Sequence, residues 1–310
     1  MPILSVHDLQ KSYGEIRAVD GVGFTIEAGE IFGLLGPNGA GKTSTISIIA
    51  TLLPPDSGEV SINGTIASSS VEYKRRIGYV PQEISLSQRL TARENLVLVG
   101  RLYDLKGRKL AARVADTLEA VGLTDRAGDF VSTFSGGMKR RLNIAGALLH
   151  EPDLLLMDEP TAGVDPQARA YIFEIVEGLA AEGRAVLYTT HYMEEAQRLC
   201  RRIAIIDHGK ILAIGTLAEL IQRVKARRDV VMDAEDLSPE KASRLAHQLG
   251  DVPWTRDENR LTLNIADATC SLLEVVRAAD DVGIRATQIS LHEPNLETVF
   301  LDLTGRMLRD

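Results

Sequence analysis

The chain has 310 residues, more than one hydrophobic core comfortably organises, so two domains are the expectation. Its 45% hydrophobic and 25% charged residues are ordinary for a globular protein, and no apolar run approaches the ~20 residues of a membrane span. A net charge of −8 argues against a nucleic-acid binder that works through its bulk field. The start, Met1-Pro2-Ile3-Leu4-Ser5, lacks the basic opening and apolar core of a signal peptide. Cys200 and Cys270 make no metal or disulfide framework; both lie in apolar-patterned segments and read as reduced structural thiols of a cytosolic protein.

Along the first 215 or so residues, short apolar strands alternate with helical patterns, which predicts an α/β core with a largely parallel sheet. The first clear strand, Ile31–Leu35, runs into Gly36-Pro37-Asn38-Gly39-Ala40-Gly41-Lys42-Thr43, followed by Ser44 and by Ile46, Ile49 and Leu53 at helical spacing, with no proline before Pro54. Strand, glycine-rich loop and helix in that order make the P-loop pattern. The glycines let successive N–H groups curl inward around a polyphosphate, and the helix N-terminus adds partial positive charge. Lys42 can reach the β- and γ-phosphates, and the Thr43 hydroxyl can bind Mg²⁺. The chain is therefore expected to bind a nucleoside triphosphate.

Ile77–Val80 reads as a strand, after which strand signals fade between Gln82 and His150. There Ala92–Tyr103 and Lys109–Val121 carry helical periodicity, which predicts a helical insertion. Phe134-Ser135-Gly136-Gly137-Met138-Lys139 precedes another helical pattern, Arg140–Leu149, with Ser135 placed to cap it and two glycines that let a phosphate approach its N–H groups. Leu154–Met157 is a strand ending in Asp158 and Glu159. Asp158 would sit near the Mg²⁺ shell, and Glu159 could polarise a water for in-line attack on a γ-phosphate. Strands follow at Ala185–Thr189 and Ile203–Asp207.

A basic helical stretch, Ala218–Arg228, leads into a second region. It reads as strand (Val230–Asp233), helix (Pro239–Leu249), short strand (Val252–Thr255), a turn at Asp257-Glu258-Asn259, strand (Leu261–Ile265), helix (Ser271–Asp280) and strand (Ile284–Ser290). That is the ferredoxin-like βαββαβ order. A last helix, Asn295–Leu308, has Leu296, Val299, Phe300 and Leu303 as its apolar stripe.

Taken together and in this order, the motifs resemble those of the nucleotide-binding subunits of ATP-binding cassette (ABC) transporters, and residues 1 to about 220 carry the resemblance. It implies a P-loop (RecA-like) ATPase core over 1–220 with a helical subdomain at about 83–150; the strand and helix pattern beyond it makes 221–310 an accessory α+β domain. In that family Gly36–Thr43 would be the Walker A loop, Leu154–Glu159 the Walker B strand and Ser135-Gly136-Gly137-Met138 the signature motif. Gln82 matches the Q-loop glutamine, a Mg²⁺ and water sensor; Asp165 matches the D-loop; His191 matches the switch histidine that contacts the γ-phosphate; Tyr13 matches the aromatic that stacks on adenine. Each has an ordinary reading when taken alone: Tyr13 an edge-strand aromatic, Gln82 a loop residue, His191 a surface histidine, Asp165 a helix cap before Pro166. Met138 stands where glutamine is commoner, and Ser44 where a second threonine is; neither change removes a phosphate or metal ligand.

The resemblance further implies ATP and Mg²⁺ as cofactors and a site shared by two copies, or by one copy and a related partner, each giving its P-loop to the other's signature motif. It implies a membrane-spanning permease docked near residues 83–130, placing the chain on the cytoplasmic face of a membrane, with no nucleic acid partner. The Ser135–Leu142 stretch and the tail Glu293–Leu301, with Leu303-Thr304-Gly305-Arg306, are similar to the ABC-2 class of drug, antibiotic and related exporters. The alternatives are a soluble ABC ATPase acting on ribosomes or nucleic acid, disfavoured by the single cassette and acidic charge, and an importer ATPase, disfavoured by the tail and the Met138 context.

Overall fold

The computed structural model describes residues 2–68, 70–223, 228–265 and 271–305. Contacts divide the chain into two compact units, the break falling after Thr216, a few residues before the expected boundary.

The first unit opens with a feature that the apolar runs did not announce. Strands β1 (Leu4–Tyr13) and β2 (Ile16–Ile26) form an antiparallel hairpin, turned at Gly14 in the left-handed region (φ +61°). β3 (Ile31–Leu35) and α1 (Lys42–Ile49) follow, then β4 (Ser57–Ile62) and the two-residue β5 (Thr65–Ile66), which extend the hairpin into a four-stranded sheet ordered β2-β1-β4-β5. These strands bury only one face: Leu4, Val6 and Leu9 point inward while His7 and Asp8 stay exposed. Their alternation is interrupted by bulges, so they lack the continuous apolar signature of a strand covered on both sides.

α2 (Val71–Arg75), β6 (Ile77–Val80), α3 (Ala92–Leu102), α4 (Gly107–Ala120) and α5 (Gly136–Leu148) come next. α3 begins at a capping box, Thr91 with Glu94. α5 begins four residues earlier than the periodicity indicated, because the Ser135 hydroxyl accepts from Met138 N and lets the glycines enter the helix. β7 (Leu154–Asp158), α6 (Pro166–Ala181), β8 (Ala185–Thr190), α7 (Met193–Leu199), β9 (Arg202–Asp207) and β10 (Lys210–Gly215) complete the unit. The main sheet runs β10-β9-β3-β8-β7-β6, parallel except for the edge strand β10.

Successive side chains on a strand point to opposite faces, and both faces of this sheet are covered. On β7, Leu155 and Met157 face a core shared with α3 to α6, while Leu154 and Leu156 face a second core shared with α1 and the antiparallel sheet. Phe24 and Phe32 stack across that second core, ring centroids 4.9 Å apart. The carboxyl ends of β3, β6, β7 and β8 all open on the same edge of the sheet, where loops of parallel α/β folds bind ligands.

The second unit starts with α8 (Leu217–Arg223), followed by β11 (Arg228–Ala234), α9 (Pro239–Gln248), β12 (Trp254–Asp257), β13 (Arg260–Ile265), α10 (Leu272–Asp281), β14 (Ala286–His292) and α11 (Leu296–Thr304). Its antiparallel sheet is ordered β12-β13-β11-β14, and Val230, Met232, Leu261 and Leu263 pack with Leu245 of α9 and Val275 of α10. β12 and β14 each begin two residues later than the apolar pattern indicated. The cause is shared: Val252 N and Ile284 N are spent on closing α9 and α10, bonding Ala246 O and Ala279 O. α11 buries Leu296, Val299 and Phe300, leaves Leu303 half-buried, packs against α8 and ends at Gly305 in the left-handed region (φ +68°). Cys270, Arg306 and Leu308, named in the sequence reading, lie outside the described residues.

Candidate functional site

The loop after β3 is shaped by what surrounds it. Gly36 N donates to Thr190 O (3.3 Å), and a β-carbon at Gly36 would run into the Ile206 carbonyl. Gly41 sits at φ +105° with its α-carbon facing the Ala18 carbonyl of β2, a place where no side chain fits. Pro37 O accepts from Ala40 N (3.1 Å), while Asn38 and Gly39 form the exposed crest of the loop. α1 then starts at Lys42, so its free N–H groups and its positive dipole end point into the curl. Thr43 is exposed and Ser44 half-buried at that end of the helix. The backbone thus makes a cradle suited to a polyanion.

Lys42 lies inside the cradle, only 4% exposed. Its Nζ donates to Gly36 O (2.8 Å) and Pro37 O (3.1 Å) and pairs with Glu159 Oε1 at 3.0 Å. Asp158, at the end of β7, is 1% exposed; its Oδ1 accepts from Thr189 Oγ1 (2.8 Å) and Thr43 Oγ1 (3.4 Å). Burial raises the Asp158 pKa above the usual carboxylate value, opposed by those two hydroxyls and seconded by the neighbouring charge of Glu159.

Glu159 leaves the strand in the left-handed region, φ +46°, held there by its N–H donating to Thr189 Oγ1 (3.0 Å). Such a backbone costs about 1–3 kcal/mol in a non-glycine residue and persists where its surroundings over-determine it. The turn aims the carboxylate back at the cradle. Gln82 Nε2 donates to Glu159 Oε2 (3.4 Å), and His191 Nδ1 lies 3.1 Å from the same oxygen, although its ring N–H is not in line for a hydrogen bond. Lys42, Thr43, Gln82, Asp158, Glu159 and His191, scattered over 150 residues of sequence, converge here.

Ser135, Gly136 and Asp165 stand elsewhere. Ser135 caps α5 and is exposed; a β-carbon on Gly136 would meet nothing within 4 Å. Gly137 is pressed against Ala168 of α6. Asp165 Oδ1 caps α6 through Ala168 N (2.9 Å), the ordinary reading of an Asp before a proline. Among the described residues no hydrogen bond joins this trio to the Gly36–Thr43 loop. Tyr13 ends β1, half exposed at the tip of the hairpin whose Ala18 abuts Gly41.

Two residues of the site region escaped the sequence reading. Arg140, at the start of the second turn of α5, is buried; its Nη1 donates to Pro81 O (2.7 Å) and its Nη2 to Gln82 O (2.6 Å), fixing the backbone that carries Gln82. The available signal was an arginine on the otherwise apolar 137-140-144-148 face of α5. Glu195, on α7, is a buried carboxylate that accepts three hydroxyl hydrogen bonds; its signal, a glutamate in a half-apolar helix, is too common to single out.

With the geometry in view, comparison with known proteins is decisive. The family described as ABC transporter matches residues 19–162, from within β2 to just past Glu159, and a family described as AAA domain, putative AbiEii toxin, Type IV TA system, matches residues 131–195. The linearmycin resistance ATP-binding protein LnrL of Bacillus subtilis (strain 168) is 44% identical, over 99% of this chain and 100% of that protein. The chain belongs to the ABC transporter family. The daunorubicin resistance ATP-binding protein DrrA3 of Streptomyces coeruleorubidus is 37% identical over 97% of this chain and 96% of its own length; the Nod factor export ATP-binding protein I of Ralstonia nicotianae is 39% identical over 100% and 96%. Among solved structures, the ATP-binding subunit of an ABC transporter superposes with a TM-score of 0.65 at 35% identity, covering 71% of this chain and 92% of that one. A dimeric ATP-binding cassette in a post-hydrolysis state bound to ADP and Pi superposes at 0.62 with 28% identity, covering 69% and 98%. This is the P-loop ABC ATPase fold, and this ABC protein binds ATP. No helix among the described residues is long and apolar enough to cross a membrane.

Proposed function

We propose that this chain is the ATP-hydrolysing subunit of an ABC exporter and that it works as a pair closed around ATP. One observation carries the reading. The chain presents a phosphate cradle with a complete cluster of reactive side chains, and it also presents an exposed, capped helix N-terminus at Ser135-Gly136 that makes no hydrogen bond to that cradle among the described residues. A helix N-terminus backed by glycine is a second anion site, and it can complete a nucleotide pocket only on another copy. A cassette of the same family is dimeric with ADP and Pi bound, which supports the pairing.

In this reading Gly36, Pro37, Asn38, Gly39, Ala40, Gly41 and Ser44 wrap the phosphates, Tyr13 stacks on adenine, and the Lys42 ammonium turns from the loop carbonyls to the phosphate oxygens. The Ser135-Gly136-Gly137 turn of the second copy closes the pocket, beside its Asp165. Mg²⁺ fits the donors present: the Thr43 hydroxyl, the Asp158 carboxylate and the Gln82 amide are hard oxygen ligands, and the first two already converge. When bound, the ion would neutralise charge on the phosphates. Glu159 accepts a hydrogen bond from a water and orients it for in-line attack. The water oxygen bonds to the γ-phosphorus as the bond to the β,γ-bridging oxygen breaks, and His191 holds the γ-phosphate oxygens.

Three further parts belong to the proposal. A groove of about 490 Å³ between the helical segment and the core, lined in part by Leu52, Tyr79, Leu86, Leu96, Val99 and Tyr103, is the dock for a membrane-spanning permease. It extends the expected 83–130 contact to the core side of the cleft. Such docking places the chain on the cytoplasmic face of a membrane. The first unit, to Thr216, is the ATPase domain, and the second, which starts with α8 at Leu217 rather than at the expected residue 221, is an accessory domain. The names of the relatives, resistance to linearmycin and daunorubicin and export of Nod factor, support export over a role on ribosomes or nucleic acid.

The test is Glu159→Gln. The variant is expected to bind ATP, to run as a dimer by light scattering with ATP but not with ADP, and to release no phosphate. A monomer under both conditions, or turnover at the unaltered rate, would sink the proposal.

A further inference from the structure

Glu195 is 2% exposed, and a buried carboxylate costs several kcal/mol unless its charge is met. Here three hydroxyls meet it. Thr161 Oγ1 donates to Oε1 (2.7 Å), and Tyr188 OH (3.0 Å) and Thr190 Oγ1 (2.9 Å) donate to Oε2. The Arg169 guanidinium is close by, Nε 3.6 Å from Oε1, an ion pair just beyond hydrogen-bond distance. Burial, then the Glu195 charge, hold the Tyr188 hydroxyl well above its ordinary pKa, so it remains a donor.

The partners matter more than their number, because three of the four lie on segments that carry proposed site residues. Thr161 comes two positions after Glu159, on the turn that leads to Asp165. Thr190 immediately precedes His191, and its hydroxyl also accepts from Tyr192 N (2.9 Å). Arg169 lies one turn into α6, its N–H bonded to Asp165 O (2.9 Å), and its guanidinium stands over the Tyr192 ring at 5.2 Å. That ring in turn packs on His191, centroids 4.0 Å apart. One carboxylate therefore ties together the histidine segment, the Glu159–Asp165 turn and the first turn of α6. The hydrogen bonds to the Glu195 carboxylate involve no atom of the phosphate cradle, whose one link to these partners is backbone, Gly36 N donating to Thr190 O (3.3 Å).

We propose that Glu195 is a positioning residue that makes those three segments move as one body, so that the place of His191 against the γ-phosphate is passed to Asp165 and Glu159. The inference rests on the roles assigned above to His191, Glu159 and Asp165. A merely structural carboxylate would, when altered, loosen the fold and weaken binding of every nucleotide. A positioning one would change the chemical step and leave ADP binding alone.

The decisive variants are Glu195→Gln, which keeps the volume but offers one carbonyl oxygen and one NH₂ group to three hydroxyls, and Thr161→Val, which removes a single tie if the first variant fails to fold. Steady-state ATPase rates and ADP affinity are measured for both, and for both again in a His191→Ala background. Expected for Glu195→Gln is a kcat lower by about ten- to a hundredfold with KM for ATP and Kd for ADP within about twofold of the unaltered chain. In the His191→Ala background Glu195→Gln and Thr161→Val should slow the residual rate no further, since residues that act as a unit are not additive. The inference is overturned by unaltered kcat in both variants, by a raised Kd for ADP in step with the lost rate, or by the same fold-loss with and without His191. If His191→Ala itself turns over at the unaltered rate, the role assigned to His191 falls and the inference with it; a slow His191→Ala beside normal Glu195→Gln and Thr161→Val removes the inference alone.

Discussion

Replacing Arg140 by methionine tests how far a side chain outside the nucleotide pocket governs it. The guanidinium makes two charge-assisted hydrogen bonds to consecutive carbonyls, Pro81 O and Gln82 O, from a buried position. Hydrogen bonds to charged groups contribute about 1.5–3 kcal/mol each, so the pair accounts for about 3–6 kcal/mol gross. Part of that is returned on substitution, because the methionine has no charge to desolvate; burial is also what lowers the Arg140 pKa, and Arg140 Nε has no partner. A net destabilisation of about 2–4 kcal/mol remains, with two carbonyls left unbonded. Arg140→Lys keeps the charge but loses the planar two-nitrogen fork and some reach, and should lose about half as much. The functional consequence is specific: the segment carrying Gln82 is released from α5, so the amide drifts from Glu159 and kcat falls about tenfold, while ATP affinity, set by the cradle, holds. Urea unfolding followed by far-UV circular dichroism gives the stability change, with Trp254 reporting the second unit separately. Stability within about 0.5 kcal/mol of the unaltered chain and an unchanged kcat would refute the reasoning.

Asp158→Asn should raise the melting temperature at neutral pH while it abolishes Mg²⁺-dependent turnover. Burial raises the folded pKa of Asp158, so the folded chain binds a proton more readily than the unfolded one, and its ionised form opposes folding. The gap between the variant and the unaltered chain should therefore narrow as pH falls through the folded pKa towards the ordinary carboxylate value; a gap that widens there contradicts the sign. Leu52, 64% exposed beside the groove, gives a test of docking. Leu52→Asp should leave stability within about 0.5 kcal/mol yet reduce recovery of the chain with membranes from cells that contain its permease. Undiminished recovery would move the dock elsewhere.

Much of this protein was legible in one dimension because its phosphate chemistry uses backbone. A loop that must curl around an anion needs glycine at set intervals, and a helix that must start at Lys42 needs that loop directly before it, so the site announces itself as Gly36–Thr43. The buried parallel strands were readable for a related reason: a strand covered on both faces is continuously apolar, as Leu154–Met157 is. The antiparallel sheet was not readable, since β1 and β2 bury one face and break their alternation at bulges. Start points were displaced wherever a closing helix took the first N–H of the next segment, as at Val252 and Ile284. Arg140 remained hidden because its partners lie 58 and 59 residues away, beyond any local period, and Glu195 because a glutamate in a half-apolar helix is too common to single out.

The sequence by itself determined that this chain holds a triphosphate, that its core is α/β, and which residue types crowd the pocket. The first two follow from local rules of glycine, helix start and apolar run; for Gln82 and His191 the third came only from the family resemblance. Only the tertiary structure decided that Glu159 turns back through a left-handed backbone to meet Lys42, and that Gln82 hangs from Arg140. It also decided that Ser135 and Gly136 stand exposed, with no hydrogen bond to their own cradle. Each of these depends on where a strand end falls relative to a helix packed many residues away, and sequence spacing carries no such distance.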